Sequence, residues 1–454
     1  MNDLPVIKAF IHKDKYYIYD ARCNSIFKID KNHYCEIQHL MKVGIAAYIA
    51  NSKQTQHYKD IVNLIKNNRI NEPVIQSINH FYDRHMINIC NRCISELQLQ
   101  VTRDCNFHCR YCVHTRKSGI GRLHEKINMN WDVAKASIDF LFEHSCDSKE
   151  LFINFYGGEP LINFETIRKT VEYAEKKFVF KKVNYTVITN GSIMTDEIIQ
   201  FLIKHDFLLI ISFDGDQVIQ NNHRKIGANY SDTYQMVYNN IQRIKSTSLE
   251  FFDRNVKFNS VIFADESRER VFKYFESDIG KARAFVNMIN ADLQGIDYFY
   301  SKINLSDNKA NTAFLYDNME QALGIFRDAY NDKRMITAKW FHKANCIPGA
   351  QHLFVNTYGN FFPCEKIIES TETKIGDVQH GFDLERIRVL LNIHKMTEKE
   401  CKKCWAIRYC KMCICHCFDP VAEKISKETK HRNCILTQKD TLEMLKRIVE
   451  SSEI

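Results

Sequence analysis

The sequence lacks the features that direct a chain into a membrane or out of the cell. No apolar run approaches the roughly 18–20 residues that a bilayer-spanning helix needs. The first residues, MNDLPVIKAFIHKDK, have no basic segment, long apolar stretch or small-residue cleavage site of a signal peptide. There is also no internal repeat, no low-complexity tract and no dense run of lysine and arginine, although the net charge is +8. We therefore expect a cytoplasmic protein that binds neither membranes nor nucleic acid.

What the sequence does contain is an unusual amount of cysteine. The 454 residues are 45% hydrophobic, which is enough for two or three domains with sizeable cores. Three of the 17 cysteines lie between Cys105 and Cys112, and nine lie between Cys346 and Cys434. Disulfides are rare in a reducing compartment, so closely spaced thiols favour metal or iron–sulfur ligands.

Residues 1–95 have the pattern of a small module in which strands precede helices. Its exposed strand edge could accept an extended peptide as an additional strand. The predicted strands are Val6–His12, Tyr16–Tyr19 and Ser25–Asp30, and the predicted helices are about Tyr58–Asn68 and Val74–Tyr82.

Residues 96–335 alternate between strand and helix patterns, which predicts an α/β fold with a parallel sheet curled into a partial (βα)6 barrel of TIM type. Active sites of such sheets lie at the carboxyl ends of the strands.

Residues 336–454 are rich in cysteine and short of regular pattern, as expected of a fold organised around metal. The polar stretch Ser301–Asn311 is predicted to be a linker or insertion. Within residues 96–335, the predicted strands are Leu97–Thr102, Leu151–Tyr156, Val183–Thr189, Leu208–Phe213, Val256–Phe263 and Ala284–Met288.

The loop after the first of these strands carries Cys105, Cys109 and Cys112. Three thiolates within eight residues can hold three irons of a [4Fe–4S] cluster and leave the fourth iron open to another ligand. The alternatives are a zinc ion, with His108 or His114 as the fourth ligand, and buried structural cysteines.

Three further polar motifs follow successive strands. Gly157–Pro160 reads Gly-Gly-Glu-Pro, in which the glycines allow close backbone approach and Glu159 offers a charge suited to an ammonium group. Asn190 lies in Thr-Asn-Gly, and Ser212–Gly215 offers a hydroxyl and a carboxylate suited to a ribose. Each motif alone is common turn chemistry. Their succession at strand ends, after a three-cysteine loop, favours one shared site.

With these motifs the sequence resembles the radical S-adenosylmethionine superfamily, through CxxxCxxC, GGEP and SxDG. The resemblance implies that the open iron chelates S-adenosylmethionine and that one electron cleaves it to a radical that abstracts hydrogen. It places Glu159 at the methionine amine, Ser212 and Asp214 near the ribose, and Arg224 at a carboxylate, although an ordinary surface ion pair of Arg224 is an equal alternative. The implied cofactor-binding residues are Tyr111, Gly157, Gly158, Glu159, Pro160, Asn190, Ser212, Asp214 and Arg224.

The order C-x12-G-x4-C, then CxxC-x5-C and a distant cysteine, resembles the SPASM extension, which implies two auxiliary [4Fe–4S] clusters and three clusters in all. By position, one auxiliary cluster would use Cys401, Cys404, Cys410 and Cys434. The other would use Cys346, Cys364 and one of Cys413, Cys415 and Cys417, because Ile414 stands where the family usually has its next cysteine. His352 is a further candidate ligand, with an ordinary structural histidine as the alternative.

The three-region order resembles maturases of ribosomally synthesised, post-translationally modified peptides, whose winged-helix-like domain binds the leader. We predict an enzyme that forms thioether cross-links of the ranthipeptide or sactipeptide type in a cysteine-containing precursor peptide with a leader. The resemblance implies a flavodoxin- or ferredoxin-type electron donor. The alternatives are formylglycine formation in sulfatases, carbon–carbon cross-linking or epimerisation of a peptide, and a non-catalytic iron–sulfur protein that binds peptides and carries electrons.

Overall fold

A computed structural model describes residues 4–51, 55–67, 74–112, 124–226, 232–263, 268–280, 285–289, 329–342, 346–350 and 352–452. The predicted linker Ser301–Asn311 and the candidate ligand His114 lie outside the described residues. Within these ranges, no helix is both long enough and apolar enough to span a membrane.

The chain begins with a three-stranded antiparallel sheet followed by three helices. The sheet has the order β1 (Ile7–His12), β2 (Lys15–Asp20) and β3 (Ser25–Ile29), and the helices are α1 (Lys31–Val43), α2 (Ile45–Ala50) and α3 (Gln56–Lys66). Lys13 and Asp14 both have positive φ, as a tight two-residue hairpin turn requires. The predicted hairpin, third strand and Tyr58–Asn68 helix are confirmed, and α1 and α2 were not predicted. A short strand β4 (Ser77–Ile78) and the helix α4 (Met86–Arg92) lead into the next region.

Six parallel strands form the centre of the molecule, in the order in which they occur along the chain. Leu97, Leu99 and Val101 of the first of these strands are fully buried, as expected of a parallel sheet covered on both faces. All six strand predictions are confirmed to within a residue or two. The strands are β5 (Glu96–Thr102), β6 (Glu150–Gly157), β7 (Lys182–Thr189), β8 (Leu208–Ser212), β9 (Val256–Phe263) and β10 (Phe285–Ile289).

Helices lie between these strands, and side-chain caps define where several of them begin. Asn130, Thr195 and Asp232 each accept a hydrogen bond from a backbone N–H of the first helical turn. The helices are α5 (Trp131–His144), α6 (Phe164–Lys177), α7 (Asp196–Lys204), α8 (Gln217–His223), α9 (Thr233–Thr247), α10 (Leu249–Asn255) and α11 (Arg268–Tyr274).

The carboxyl-terminal region extends the central sheet on the free side of β5. After β11 (Lys339–Trp340), the strand β12 (Leu353–Val355) pairs parallel to β5, with Leu353 opposite Leu97. The strands β13 (Asn360–Phe362), β14 (Gly376–Asp377) and β15 (Gly381–Phe382) follow in antiparallel order, giving ten strands in one sheet. The remaining elements are α12 (Leu384–Leu391), α13 (Glu398–Cys401), β16 (Phe418–Asp419), β17 (Lys424–Ile425) and α14 (Lys427–Ser452).

The predicted helix at Val74–Tyr82 is wrong. Ser77 and Ile78 form β4, which pairs in parallel with Lys339 and Trp340 of β11. A pairing between segments so distant in sequence gives no local signal, and it overrides the helical spacing of the apolar residues.

The amino-terminal sheet packs directly against the cysteine-rich region. Phe10 and Tyr17 share one buried cluster with Ile407 of the cysteine-rich loops and Leu445 of α14. The first and last parts of the chain therefore enclose a common core.

Candidate functional site

The three-cysteine loop begins where β5 ends, and backbone hydrogen bonds attach it to the segment after α8. The His108 N–H donates to the Lys225 carbonyl at 2.6 Å, and the Arg110 N–H donates to the His223 carbonyl at 2.9 Å. The loop is thereby held at the carboxyl edge of the parallel sheet, where the sequence predicts the site.

The three thiols of this loop lie close together. Burial raises the pKa of the Cys105 thiol, and the neighbouring Cys109 and Cys112 thiols raise it further. Burial likewise raises the pKa of Cys109 to about 12, against the opposing charge of Arg224. Thiols with raised pKa values become ligands only when a metal or cluster replaces their protons. Three such thiols in one loop fit a [4Fe–4S] cluster held by three cysteines.

The paired glycines press the loop after β6 against the cysteine loop. A Cβ on Gly158 would lie 2.2 Å from the Asp104 carbonyl oxygen and 2.9 Å from the Cys105 Cβ, so this position excludes any side chain. The Glu159 N–H donates to the same Asp104 carbonyl at 2.8 Å. Pro160 then begins a short 3₁₀ turn, Pro160–Asn163.

The Glu159 carboxylate is fully buried and joins two loops. It accepts hydrogen bonds from the Thr189 hydroxyl at 2.7 Å, the Asn190 N–H at 2.6 Å and the Leu161 N–H at 3.0 Å. Burial raises its pKa to about 7 in spite of these donors. Its side chain thus connects the loops after β6 and β7, whereas the sequence suggests a role in holding an amine.

A second connection joins the loop after β7 to the cysteine loop. The Asn190 amide donates to the Asn106 side-chain oxygen at 2.8 Å, and the Asn106 amide donates to the Ser192 hydroxyl at 2.9 Å. The Ser192 hydroxyl in turn donates to Asn190 at 2.6 Å. Asn106 and Ser192 were not identified from the sequence, because an asparagine or serine in a loop has no distinguishing local pattern.

Asp214 lies at the centre of the buried polar network after β8. Its carboxylate accepts hydrogen bonds from the Tyr111 hydroxyl at 2.8 Å, the Arg224 guanidinium at 2.9 Å and the Val261 N–H at 3.0 Å. Burial would raise the pKa of Asp214, but the charge of Arg224 and the hydrogen bonds from His223 and Arg224 together hold the pKa below the usual value. The carboxylate that Arg224 meets is therefore Asp214, in a buried ion pair, which excludes the surface ion pair. Ser212 ends β8 and is half-buried.

His124 is a site residue that the sequence did not reveal. Its Nε2 atom lies 3.2 Å from the Cys112 Sγ atom, and burial lowers the pKa of its imidazole. His108, the candidate zinc ligand, is exposed. Among the described histidines, His124 is thus the one placed to hydrogen-bond a sulfur of the loop or to complete a zinc site.

Eight of the nine late cysteines divide into two groups of four. In the first cysteine set, the Cys415 thiol lies within hydrogen-bonding reach of Cys364 and Cys413, and Cys346 adjoins Cys364 and Cys413. In the second cysteine set, Cys401, Cys404, Cys410 and Cys434 are all mutual neighbours, and burial raises the pKa of Cys404 and Cys434 to about 11. Each set has the donors of a complete four-thiolate iron–sulfur site.

Cys417 lies between the two sets, and His352 lies outside them. Cys417 is fully buried, and its thiol lies near Cys410, Cys413 and Cys434. His352 is held between two carboxylates, with Nδ1 2.9 Å from Glu96 and Nε2 3.0 Å from Glu365. An ion-paired histidine is the structural alternative to the ligand role considered from the sequence.

Comparison with known proteins agrees with this geometry. Residues 99–276 match the family model of the radical SAM superfamily. The chain is 28% identical over 292 residues to the radical SAM cyclopropyl synthase TigE of Paramaledivibacter caminithermalis, covering 60% of this chain and 57% of that protein. It is 23% identical over 330 residues to the cysteine-type anaerobic sulfatase-maturating enzyme of Clostridium perfringens, covering 68% of this chain and 85% of that enzyme.

A solved structure shows the same fold. Native anSMEcpe with bound AdoMet superposes with a TM-score of 0.52 and 19% identity, covering 79% of this chain and 99% of that chain. The chain spans little more than half the length of the cyclopropyl synthase that it matches.

Proposed function

We propose that this protein is a radical SAM enzyme that modifies a ribosomally made precursor peptide by forming cysteine sulfur-to-carbon thioether cross-links. The observation that carries the proposal is the combination of the three-cysteine loop with two complete cysteine sets behind it. A domain that only generates a radical needs the loop alone, whereas oxidative chemistry on a peptide also needs somewhere for electrons to go.

The residues of the chain hold and shield the reacting groups. Cys105, Cys109 and Cys112 would hold one [4Fe–4S] cluster, and the loops after β6, β7 and β8 would surround S-adenosylmethionine. When bound, these groups supply a 5′-deoxyadenosyl radical that removes hydrogen from an unactivated C–H bond. Glu159 and Asp214 connect the loops to one another, so that the site is preorganised.

The two cysteine sets support two auxiliary clusters. One thioether removes the thiol hydrogen and one carbon-bound hydrogen from the peptide, a two-electron oxidation. The carbon-bound hydrogen leaves as an atom with one electron, and the thiol proton leaves to solvent. The second electron needs an acceptor, which we assign to the auxiliary clusters, with a flavodoxin- or ferredoxin-type protein as the external electron partner. With four thiols in each set, we propose that the protein alone coordinates each auxiliary cluster and that no thiol of the substrate is a ligand.

The amino-terminal module supports a peptide substrate. β3 is an edge strand, and Phe27 on it is 51% exposed. An edge strand offers unpaired backbone groups to an extended peptide, so we propose that the leader adds to this sheet.

Formylglycine formation in a sulfatase is the second candidate function. The match that favours it extends over 85% of the sulfatase-maturating enzyme from Clostridium perfringens. This reaction oxidises one cysteine or serine to an aldehyde and makes no cross-link.

The test is anaerobic reconstitution of the protein with a short cysteine-rich peptide encoded beside its gene, followed by high-resolution mass spectrometry. We expect 5′-deoxyadenosine, a loss of two hydrogens for each cross-link, and cysteines that iodoacetamide no longer alkylates. The variant C105A/C109A/C112A should make no 5′-deoxyadenosine, whereas C146A, which removes an exposed cysteine, should retain activity.

Each alternative product has its own signature. An aldehyde that reacts with a hydrazide would establish the sulfatase reaction instead. Loss of two hydrogens with fully alkylatable cysteines would establish a carbon–carbon bond. If the protein binds clusters but leaves S-adenosylmethionine intact, it is a non-catalytic electron carrier. A colourless preparation that contains zinc would contradict the cluster assignment.

A further inference from the structure

Lys430 is a buried cation next to the second cysteine set. It lies on α14 and is fully buried, and no ion pair among the described residues includes it. Burying an ammonium group without an anionic partner carries the full desolvation penalty of the ion. A fold that retains such a charge needs a compensating negative group within reach.

The atoms around Lys430 identify that group. Its Nζ atom donates to the Thr397 hydroxyl, lies 3.5 Å from the His394 carbonyl oxygen and lies 3.8 Å from the Cys401 Sγ atom. The two oxygens are neutral, so Cys401 is the one of these three contacts that can carry a negative charge. The charge of Lys430 also acts on Cys434 and Cys417, opposing the effect of burial on their thiols.

The neighbouring histidines do not supply a negative charge or a separate metal site. His342, His394 and Cys401 have ligand atoms within 4.8 Å of one another. However, the two imidazole rings are stacked, with centroids 3.5 Å apart and 13° between their planes, so one ion cannot lie in the plane of both rings, where the nitrogen lone pairs point. Burial lowers the pKa of His342 to about 3, and the nearby ammonium would repel a divalent cation.

We propose that Lys430 is a positioning residue that sets the reduction potential of the cluster held by the second cysteine set, through its contact with Cys401. Reduction adds negative charge to a cluster that four thiolates already make anionic, and a buried ammonium stabilises the added charge. Net charge and hydrogen bonds to sulfur are among the factors that set iron–sulfur potentials. Lys430 therefore makes this cluster easier to reduce than it would be without the buried ammonium group. This inference rests on the proposed auxiliary clusters.

The test is a redox titration followed by electron paramagnetic resonance, in the C105A/C109A/C112A background so that only auxiliary clusters contribute. We expect K430M to lower the midpoint potential of one cluster and leave the other unchanged. At the original midpoint, the ratio of reduced to oxidised cluster should fall about tenfold, which corresponds to about 59 mV for one electron. The control K427M removes an exposed lysine of the same helix, paired with Glu400 at 2.9 Å, and should move neither midpoint.

Iron content separates the outcomes. Full iron content with two unmoved midpoints in K430M would overturn the assignment of Lys430 alone. If the wild-type protein holds iron only in the three-cysteine loop, the assignment of the auxiliary clusters is overturned as well. If K430M does not fold, K430Q takes its place with the same expectation. In heavy water, the ammonium group of Lys430 should also give a magnetic coupling between an exchangeable deuteron and the reduced cluster. The absence of that coupling would contradict the Lys430 contact without any substitution of Lys430.

Discussion

At the scale of single residues, the site depends on side chains that bind the protein itself. Asp214 accepts hydrogen bonds from Tyr111, Arg224 and Val261, and Arg224 lies 4.0 Å from the Cys109 sulfur. The Glu159 carboxylate likewise accepts hydrogen bonds from three groups of the protein. These carboxylates position the loops that carry the cysteines, so they affect the chemistry through geometry.

The substitution D214N should destabilise the fold strongly. It removes the anion that compensates the buried Arg224, and breaking a buried ion pair from one side costs about 3–5 kcal/mol. Urea unfolding under anaerobic conditions measures this loss. The control is D206N, which weakens the exposed pair of Asp206 and Arg254 and should cost less than about 1 kcal/mol. Equal losses in the two variants would contradict the buried role of Asp214.

At the scale of elements, the contact between β5 and β12 connects the central parallel sheet to the cysteine-rich region. The strands pair in parallel, and His352 lies beside this contact with Glu96 on one side and Glu365 on the other. Burial alone would lower the pKa of His352, but its ion pairs with the Glu365 and Glu96 carboxylates, which accept from the imidazole, raise it to about 10. Burial would raise the pKa of Glu365, but His352 lowers it to about 2.

This ion pair predicts a pH-dependent difference in stability between the wild type and H352Q. The raised pKa of His352 stabilises the fold below its unfolded value of 6.5, and this contribution disappears as the pH rises through about 10. The lowered pKa of Glu365 stabilises the fold above 4.5, and this contribution is lost as the pH falls through about 2. The difference in unfolding free energy, on the order of 3 kcal/mol, should thus be greatest between pH 4.5 and 6.5. Denaturant unfolding at several pH values measures it, and a difference that persists above pH 10 would contradict the ion pair.

Elements with a local sequence pattern could be predicted, whereas pairings between distant segments could not. Period-two alternation and apolar runs are local, so the six central strands and the motifs at their ends could be predicted. The insertion of β12 beside β5 and the pairing of β4 with β11 could not, because each joins segments hundreds of residues apart. His124 and Lys430 lie only 12 and 29 residues from the sulfurs that they contact, and they were missed because no local pattern marks a histidine or lysine that the fold brings to a sulfur.

At the scale of the whole molecule, Asn24 joins three distant parts of the chain. Its amide donates to the carbonyls of Ala329, Tyr330 and Asp332, and its oxygen accepts from the Tyr19 and Tyr409 hydroxyls. Tyr409 precedes Cys410 of the second cysteine set. Asn24 also has a backbone φ of +55°, which asparagine adopts more readily than other residues with a side chain.

The substitution N24A should loosen the amino-terminal module from the cysteine-rich region. It removes all five side-chain hydrogen bonds and imposes a positive φ on alanine, so we expect a loss of stability of several kcal/mol, at about 1 kcal/mol for each net hydrogen bond. Hydrogen exchange should accelerate in β2, in β3 and around Tyr409. The control N239A, at an exposed position of α9, should change neither. Unchanged exchange around Tyr409 in N24A would show that the module is held by other contacts.

The shared core also limits what truncation can show. The sulfatase reaction predicts that the first 95 residues are dispensable. Yet removing them would expose Ile407 and Leu445, which pack against Phe10 and Tyr17. Loss of activity on truncation would therefore report damage to the cysteine-rich region as much as loss of leader binding, and point substitutions on β3 are the better test.

The insertion of β12 also has a consequence for the order of synthesis. The ribosome completes β5 to β10 long before it releases the residues that pair with β5, so the growing chain carries an open parallel edge for much of its translation. Such an edge is a template for pairing with other nascent chains. Slow, cool expression, with iron supplied after the carboxyl terminus has emerged, is the production route that this topology favours.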